Sequence, residues 1–235
     1  MKNKILLLIL TLVFLTACYN SGETGDSKTT KRIEKTSPVA DKSTTPETSP
    51  TPAATGNFSQ AKSDYDAKNY EKAAAGFQEI VKADANNLEA HLYLGKSFQA
   101  LKKDDEAISA FKEVLKIKRE HADANFELGN IYNSRKDYET ASPFYQVAAK
   151  TDFKNPKVLM ALGDNYTALK KDDYAIVQYI KVNDFDKTNS EAMYKTGLAY
   201  ISLNNKIAAR QALQRLESVD AEKAKKLSEL IDKMK

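Results

Sequence analysis

The stretch LKKDDEAI at residues 101–108 occurs again, with one substitution, as LKKDDYAI at residues 169–176. The two copies begin 169 − 101 = 68 residues apart, which is twice 34. Two lysines followed by two aspartates are compatible with a metal site, a pair of catalytic acids or a repeated structural element. The periodicity of the surrounding chain decides between these interpretations.

Residues of one type recur every 34 positions over most of the chain. The recurring sets are the glycines Gly95, Gly129, Gly163 and Gly197; the alanines Ala73, Ala107, Ala141, Ala175 and Ala209; the large residues Phe77, Phe111, Tyr145, Tyr179 and Leu213; and the aromatics Phe98, Tyr132, Tyr166 and Tyr200. A sustained 34-residue period is typical of stacked helix–turn–helix units.

The apolar residues inside one period have helical spacing. In the first half they are Ala90, Leu94, Phe98 and Leu101, and in the second half Ala107, Phe111, Val114 and Leu115. Spacings of three and four residues place each set on one face of a helix. We therefore predict two helices per unit, with the recurring glycines and alanines at the points where the helices of a hairpin approach closely.

The chain resembles tetratricopeptide repeat (TPR) proteins over about residues 54–223. The family pattern is carried by Leu94-Gly95…Phe98, Leu128-Gly129…Tyr132 and Leu162-Gly163…Tyr166, with Thr196-Gly197…Tyr200 as a more divergent copy. The first unit departs further, since Ala61 stands where the glycine is expected. The resemblance implies an all-α solenoid of five helix–turn–helix repeats over residues 58–219.

Residues 220–235 read as an amphipathic helix that caps the last repeat, with Asp220 as its N-cap. Its apolar face is predicted to contain Leu227, Leu230, Ile231 and Met234. A helix lying on a membrane surface is the alternative. The polar face mixes acidic and basic residues, which favours the cap.

The first residues resemble a bacterial lipoprotein signal. A basic start (MKNK) precedes the apolar stretch Ile5–Leu15, which is shorter than the roughly 20 residues a membrane-spanning helix needs. Leu15-Thr16-Ala17-Cys18 resembles a lipobox, which implies cleavage of residues 1–17 and acylation of Cys18, including palmitate. Tyr19 after the cysteine implies, by the enterobacterial sorting rule, the outer membrane facing the periplasm. The alternative is an ordinary secretory signal with an unrelated cysteine.

Residues 18–57 are predicted to form a disordered tether. The segment is rich in Ser, Thr and Pro, with few large apolar residues, and contains four of the six prolines. Such a composition cannot bury enough apolar surface to offset chain entropy. A flexible coil of this length reaches on the order of 30–40 Å. We interpret it as a spacer between a membrane and the repeat domain.

In the repeat register, the aspartates of LKKDDEAI and LKKDDYAI fall where the second helix of a repeat begins. There they are predicted to cap free backbone amides and to interact with the helix dipole. The two copies lie two repeats apart, so their carboxylates cannot converge on one metal ion. The repeated stretch is therefore interpreted as a structural element.

The composition disfavours several functions. The net charge is +4, from 36 basic and 32 acidic residues, and this balance argues against nucleic acid binding. Cys18 is the only cysteine, so a disulfide or a cysteine-based zinc site is not expected. His91 is predicted to be packed in the core and His121 to lie in a turn. We predict no catalytic residues, no cofactor, no metal and no enzymatic activity.

The TPR resemblance implies a concave groove lined by the first helices of the repeats. One predicted row of groove residues is Phe58, Leu92, Phe126, Met160 and Tyr194, and the row beside it is Lys62, Lys96, Asn130, Asp164 and Leu198. The apolar row fits a partner segment with apolar side chains. An equal alternative is that neighbouring helices cover these residues. The Lys/Asn/Arg clamp of chaperone-binding TPRs is not reproduced, which disfavours acidic C-terminal partners.

These observations predict a membrane-anchored TPR lipoprotein that acts as a protein–protein adaptor or scaffold in the cell envelope. Its partners would be envelope proteins, for example in outer-membrane protein assembly or pilus secretin assembly, and the lipid bilayer through acylated Cys18. A surface-displayed or structural lipoprotein, or a regulator of cell-wall enzymes, is the alternative.

Overall fold

The computed structural model describes residues 52–234, with side chains from residue 57. The predicted signal peptide, Cys18 and most of the predicted tether lie outside the described residues. The described part contains eleven helices and no strand. In chain order they are α1 Pro52–Asp66, α2 Tyr70–Ala83, α3 Leu88–Ala100, α4 Asp104–Ile117, α5 Ala122–Ser134, α6 Tyr138–Thr151, α7 Pro156–Ala168, α8 Asp172–Phe185, α9 Ser190–Ser202, α10 Lys206–Glu217 and α11 Ala221–Asp232.

The helices pair into five antiparallel hairpins that stack in chain order. Each odd-numbered helix from α1 to α9 packs against the helix that follows it, and each second helix also packs against the first helix of the next repeat. First helices touch one another as well, α1 with α3 and α5 with α7. The predicted all-α solenoid of five repeats is confirmed. Its first helix begins at Pro52, before the predicted domain boundary at residue 58.

The turns inside the hairpins share one backbone conformation. Their second residue has a positive φ, with values of 63° at Lys68, 58° at Lys102, 61° at Lys136, 59° at Lys170 and 54° at Asn204. In the second repeat, the Lys103 amide donates to the Phe98 carbonyl at 2.9 Å and the Lys102 amide to the Gln99 carbonyl at 3.0 Å. This Schellman-type arrangement ends α3 and satisfies its last carbonyls.

The turn geometry corrects the predicted role of the aspartates. The N-cap residues of α4 and α8 are Lys103 and Lys171, and neither side chain makes a capping hydrogen bond. Asp104 and Asp172 are instead the first residues of these helices. They stand near the positive end of the helix dipole, but the prediction that they cap the helices is wrong. In both turns the N-cap position directly follows the left-handed residue, and it is occupied by Lys103 or Lys171 instead of an aspartate.

Helix α11 packs on α9 and α10 and caps the last repeat. Its N-cap is Asp220, as predicted, and the Lys223 amide donates to the Asp220 carboxylate at 3.0 Å. Leu227 and Ile231 are buried, but Leu230 is 37% exposed, so its assignment to the apolar face is wrong. Ala224 is buried instead, because a small residue allows α11 to lie close to the hairpin.

No helix within residues 52–234 combines the length and apolar character needed to cross a membrane.

Candidate protein-binding groove

The packing of each hairpin depends on a glycine in its first helix. A Cβ built on Gly95 would lie 2.6 Å from the Phe111 ring, and one on Gly129 would lie 2.7 Å from the Tyr145 ring. Gly163 meets the Tyr179 ring in the same way. The alanines Ala73, Ala107, Ala141, Ala175 and Ala209 are fully buried at the corresponding places on the second helices. These predicted repeat-packing residues therefore lie at helix crossings.

The two terminal repeats solve the same packing problem differently. In the first repeat, Ala61 replaces the glycine, and Gly76 on α2 faces it, so that a Cβ on Gly76 would lie 2.8 Å from the Ala61 Cβ. In the fifth repeat, Gly197 is covered by Leu227 of α11, whose Cδ2 would lie 2.5 Å from an added Cβ. The capping helix thus supplies the side chain that an aromatic ring provides inside the array.

The predicted apolar row of groove residues is only partly accessible. Leu92 is buried, with 7% exposure, while Phe58, Phe126, Met160 and Tyr194 are half-buried. Phe58 packs edge-on against Phe77, with ring centroids 5.5 Å apart. Phe126 and Met160 pack against the core shared by the third and fourth repeats. Much of the apolar surface of this row is therefore used inside the solenoid.

The basic end of the neighbouring polar row is built around Tyr93. The ammonium groups of Lys62 and Lys96 lie 5.1 and 5.7 Å from the centroid of its ring. Lys62 also contacts the Asp66 carboxylate at 2.5 Å, and Lys96 contacts the Asp123 carboxylate at 2.9 Å. Cation–π and ionic contacts thus hold both lysines on the first-helix side of the array.

The middle of the polar row accepts hydrogen bonds from the hairpin interior. The Tyr145 hydroxyl donates to Asn130 Oδ1 at 2.9 Å, and the Tyr179 hydroxyl donates to Asp164 Oδ1 at 2.8 Å. Burial raises the pKa of both tyrosines above its ordinary value. An acceptor on the first helix therefore accompanies each of these buried hydroxyls.

The sequence contains a signal for these bonds that pattern reading missed. Moving along the repeats, the large residue on the second helix and its counterpart in the polar row change together. The pairs are Phe77 with Lys62, Phe111 with Lys96, Tyr145 with Asn130, Tyr179 with Asp164 and Leu213 with Leu198. The change from basic to acidic to apolar along the row thus follows the interior of each hairpin.

Two cavities open between successive first helices. One, of about 580 Å³, lies between α3 and α5 and is lined by Leu92, Lys96 and His121 among others. The other, of about 400 Å³, lies between α7 and α9 and is lined by Asp164, Asp172 and other residues. A third cavity, of about 580 Å³, lies on the second-helix side between α8 and α10. Four of the predicted groove residues thus line cavities: Leu92, Lys96, Asp164 and Leu198.

Both histidines have structural contacts. His91 is buried, and its Nε2 donates to the Ala85 carbonyl at 3.0 Å. His121 is the N-cap of α5, where its Nδ1 accepts from the Ala124 amide at 3.3 Å, and burial lowers its pKa. Among residues 52–234, no group of three or more His, Cys, Asp or Glu side chains is arranged to hold a metal ion.

Family comparison agrees with this architecture. Models of the tetratricopeptide repeat family match residues 58–119, 100–164 and 191–219. The chain is a tetratricopeptide repeat protein. No curated protein sequence matches it.

Solved structures share the fold of this TPR protein at low sequence identity. YrrB, described as a TPR protein with an unusual peptide-binding site, is 20% identical with a TM-score of 0.66, and the match covers 75% of this chain and 92% of that chain. The MamA protein is 23% identical with a TM-score of 0.66, covering 73% and 94% of the two chains. A MamA RS-1 ArsTM double mutant is 16% identical with the same TM-score, covering 73% and 96%. At these identities the likeness shows the fold alone.

Proposed function

We propose that this TPR protein is an adaptor that binds a segment of another protein along its first helices. The observation that carries the proposal is the pair of cavities between α3 and α5 and between α7 and α9. Each cavity lies between successive first helices and is lined by predicted groove residues, Leu92 and Lys96 in the first and Asp164 and Leu198 in the second. The peptide-binding site named for YrrB supports this use of the fold.

The charged groups along the groove are arranged as ion pairs and hydrogen-bond acceptors that a partner can contact. Lys96 with Asp123 and Lys195 with Asp164 bridge successive repeats at 2.9 and 2.6 Å. Such pairs at a partly exposed surface guide the orientation and specificity of a partner more than they add affinity. We assign the protein no enzymatic role and expect the partner segment to supply the apolar side chains that fill the cavities.

The cellular part of the proposal rests on the N-terminus. Acylation of Cys18 would anchor the protein, since several acyl chains together hold a protein on a membrane far more firmly than one. The segment up to residue 57 would then act as the spacer, and the repeats would meet envelope proteins within its reach. We place the protein at the outer membrane, facing the periplasm.

A pair of exposed alanines provides the test of groove binding. Ala168 lines the cavity between α7 and α9, whereas Ala75 is exposed on the second helix α2. Exposed substitutions of this kind change stability by only about 0.5 kcal/mol. Immobilised protein carrying Ala168→Trp should lose envelope partners that the wild type and Ala75→Trp both retain. Each lost partner is then purified and titrated against the three proteins.

Equal binding of a purified partner to all three proteins would contradict groove recognition. The buried position of Leu92 and the half-buried positions of Phe126 and Met160 make acidic substitutions there unsuitable, because they would disturb the core.

The anchor has its own test. Wild-type protein should fractionate with membranes and carry acyl chains detectable by intact-protein mass spectrometry, whereas Cys18→Ser should be soluble and unmodified. Protease added to intact cells distinguishes the alternative of surface display. Degradation in intact cells would contradict the periplasmic location, and protection until the outer membrane is opened would support it.

A further inference from the structure

The two LKKDD turns differ in the cation that the next repeat offers. In the second repeat, Arg135 at the end of α5 meets both aspartates of the turn. Its Nη2 lies 2.9 Å from Asp105 Oδ1, and its Nε lies 3.7 Å from Asp104 Oδ2. The first pair of carboxylates therefore has a cation of the next repeat beside it.

The equivalent of Arg135 in the fifth repeat, 68 residues later, is Leu203. Asp172, the counterpart of Asp104, is buried, with 5% exposure, whereas Asp104 is half-buried. Asp172 Oδ2 accepts from the Ser202 hydroxyl at 2.6 Å. Asp172 Oδ1 has no hydrogen-bond partner among the described residues, and no described Lys or Arg forms an ion pair with this carboxylate. A buried carboxylate without a cation or a full set of donors is unfavourable.

This carboxylate lines the cavity of about 400 Å³ between α7 and α9. The apolar part of the lining comes from Ala168, Leu198 and Ala199. Ser202, which donates to Asp172, is itself exposed and lines the same cavity. The cavity thus combines an apolar wall with a carboxylate that has no paired cation and one unpartnered oxygen.

Two lysines also line the cavity, and their positions leave Asp172 without a cation. The Lys195 ammonium lies 2.6 and 2.7 Å from the Asp164 carboxylate oxygens. Lys170 is exposed in the turn, and within residues 52–234 no ion pair joins it to Asp172. The positive charge of Lys195 is already used, and Lys170 remains in solvent.

We propose that this cavity binds a lysine or arginine side chain of the partner segment. The methylene stem would pack against Ala168 and Leu198, because long basic side chains bury their stems while keeping a polar head. The charged head would form a charge-assisted hydrogen bond with Asp172. It would thereby supply the cation that Arg135 brings beside Asp104 and Asp105 at the first turn. The inference rests on the proposed groove function and specifies the chemistry of its ligand: a basic residue.

The test uses defined small probes instead of the unknown partner. Residues 19–235, which contain every described residue, are labelled with ¹⁵N and titrated with N-acetylarginine methylamide. N-acetylcitrulline methylamide, which has the same shape without the charge, is the matched probe. The arginine probe should shift the amide signals of Thr167, Leu198 and Ser202, and the citrulline probe should bind about tenfold or more weakly. Equal binding of the two probes would overturn the proposal.

Three variants separate recognition from folding. Asp172→Asn should lose the arginine preference by about tenfold, while Asp104→Asn, the matched change at the first turn, should leave it unchanged. Leu203→Arg should also block the probe, because it supplies internally the cation that Arg135 provides in the third repeat. Thermal unfolding is measured for each variant. If Asp172→Asn and Leu203→Arg both remain folded and bind the probe as the wild type does, Asp172 has only a structural role.

Failure of the basic-residue site can be distinguished from failure of the proposed adaptor function. If a partner is lost with Ala168→Trp but binds Asp172→Asn normally, the result supports the groove function and contradicts the basic-residue site. If the probe binds in a charge-dependent manner but no partner is sensitive to Ala168→Trp, the result supports the basic-residue site and contradicts the adaptor proposal.

Discussion

The second and fourth repeats begin their second helices with the same LKKDD sequence, yet the two hairpins have different surroundings. The hairpin that contains the first turn carries Phe111 and Lys96, and the hairpin that contains the second carries Tyr179 and Asp164. The first turn is paired with Arg135, whereas Asp172 of the second lacks a cation. The comparison shows that an identical local sequence produces the same turn but leaves the chemistry to residues from other helices.

Hydrogen bonding explains why the differences occur together. A buried phenol requires an acceptor, so Tyr179 is accompanied by Asp164, while the ring of Phe111 needs none and Lys96 can point to Tyr93 and Asp123. Charge explains the other difference, because Arg135 is present beside one turn and absent beside the other.

The largest expected effect tests the close contact between a glycine and an aromatic ring that the two hairpins share. Gly95→Ala and Gly163→Ala should each destabilise the protein by about 2 kcal/mol, because the new methyl group overlaps the buried Phe111 or Tyr179 ring. Urea unfolding followed by far-UV circular dichroism measures the change.

The first repeat provides the control. Gly76→Ala should destabilise for the same reason, and Ala61→Gly added to it should restore most of the loss, since one small residue at the crossing is sufficient. No coupling between these two substitutions would contradict the close-approach explanation.

Exchanging the interior rings should give effects of about 1 kcal/mol or more. Phe111→Tyr places a hydroxyl where Lys96 provides no acceptor, so it should destabilise by about 1–2 kcal/mol. The double variant Phe111→Tyr/Lys96→Asn reproduces the third repeat and should recover stability. A double-mutant cycle by chemical denaturation measures the coupling. Purely additive effects would show that the ring and the polar row are independent.

The charged residues beside the turns should respond in opposite directions. Arg135→Leu removes a surface ion pair and should cost less than about 1 kcal/mol, with the loss shrinking at high salt. Leu203→Arg should stabilise by about 1 kcal/mol, because it supplies a partner to Asp172. Thermal unfolding at low and high salt checks both variants. Destabilisation by Leu203→Arg would show that Asp172 is accommodated without a cation.

The smallest expected effect is the same at both turns. Lys102 and Lys170 have φ values of 58° and 59°, in the left-handed region where glycine is favoured. Lys102→Gly and Lys170→Gly should each stabilise the protein by about 0.5–1 kcal/mol. Unequal changes would indicate that one lysine side chain makes a contact that the other lacks.

Part of the candidate site was predictable from sequence and part was not. The repeat register placed Lys96 and Asp164 beside the groove, where they line cavities. It also placed Leu92 in the apolar groove row and left open whether neighbouring helices cover that row; in the structure Leu92 is buried. Leu230 was assigned to the apolar face of α11 by its spacing, but the side of α11 that is buried contains Ala224, Leu227 and Ile231 and leaves Leu230 exposed.

The sequence by itself determined the helix–turn–helix period, the five repeats and the small residues that repeat with them, because helix propensity and apolar spacing act within a few residues. Only the tertiary structure decided that Leu227 covers Gly197, that Arg135 pairs with Asp105, and that Asp172 contacts Ser202 instead of a cation. Those contacts join residues about 30 positions apart through the stacking of separate helices. Burial and ion pairing depend on that geometry and have no signature in the local sequence.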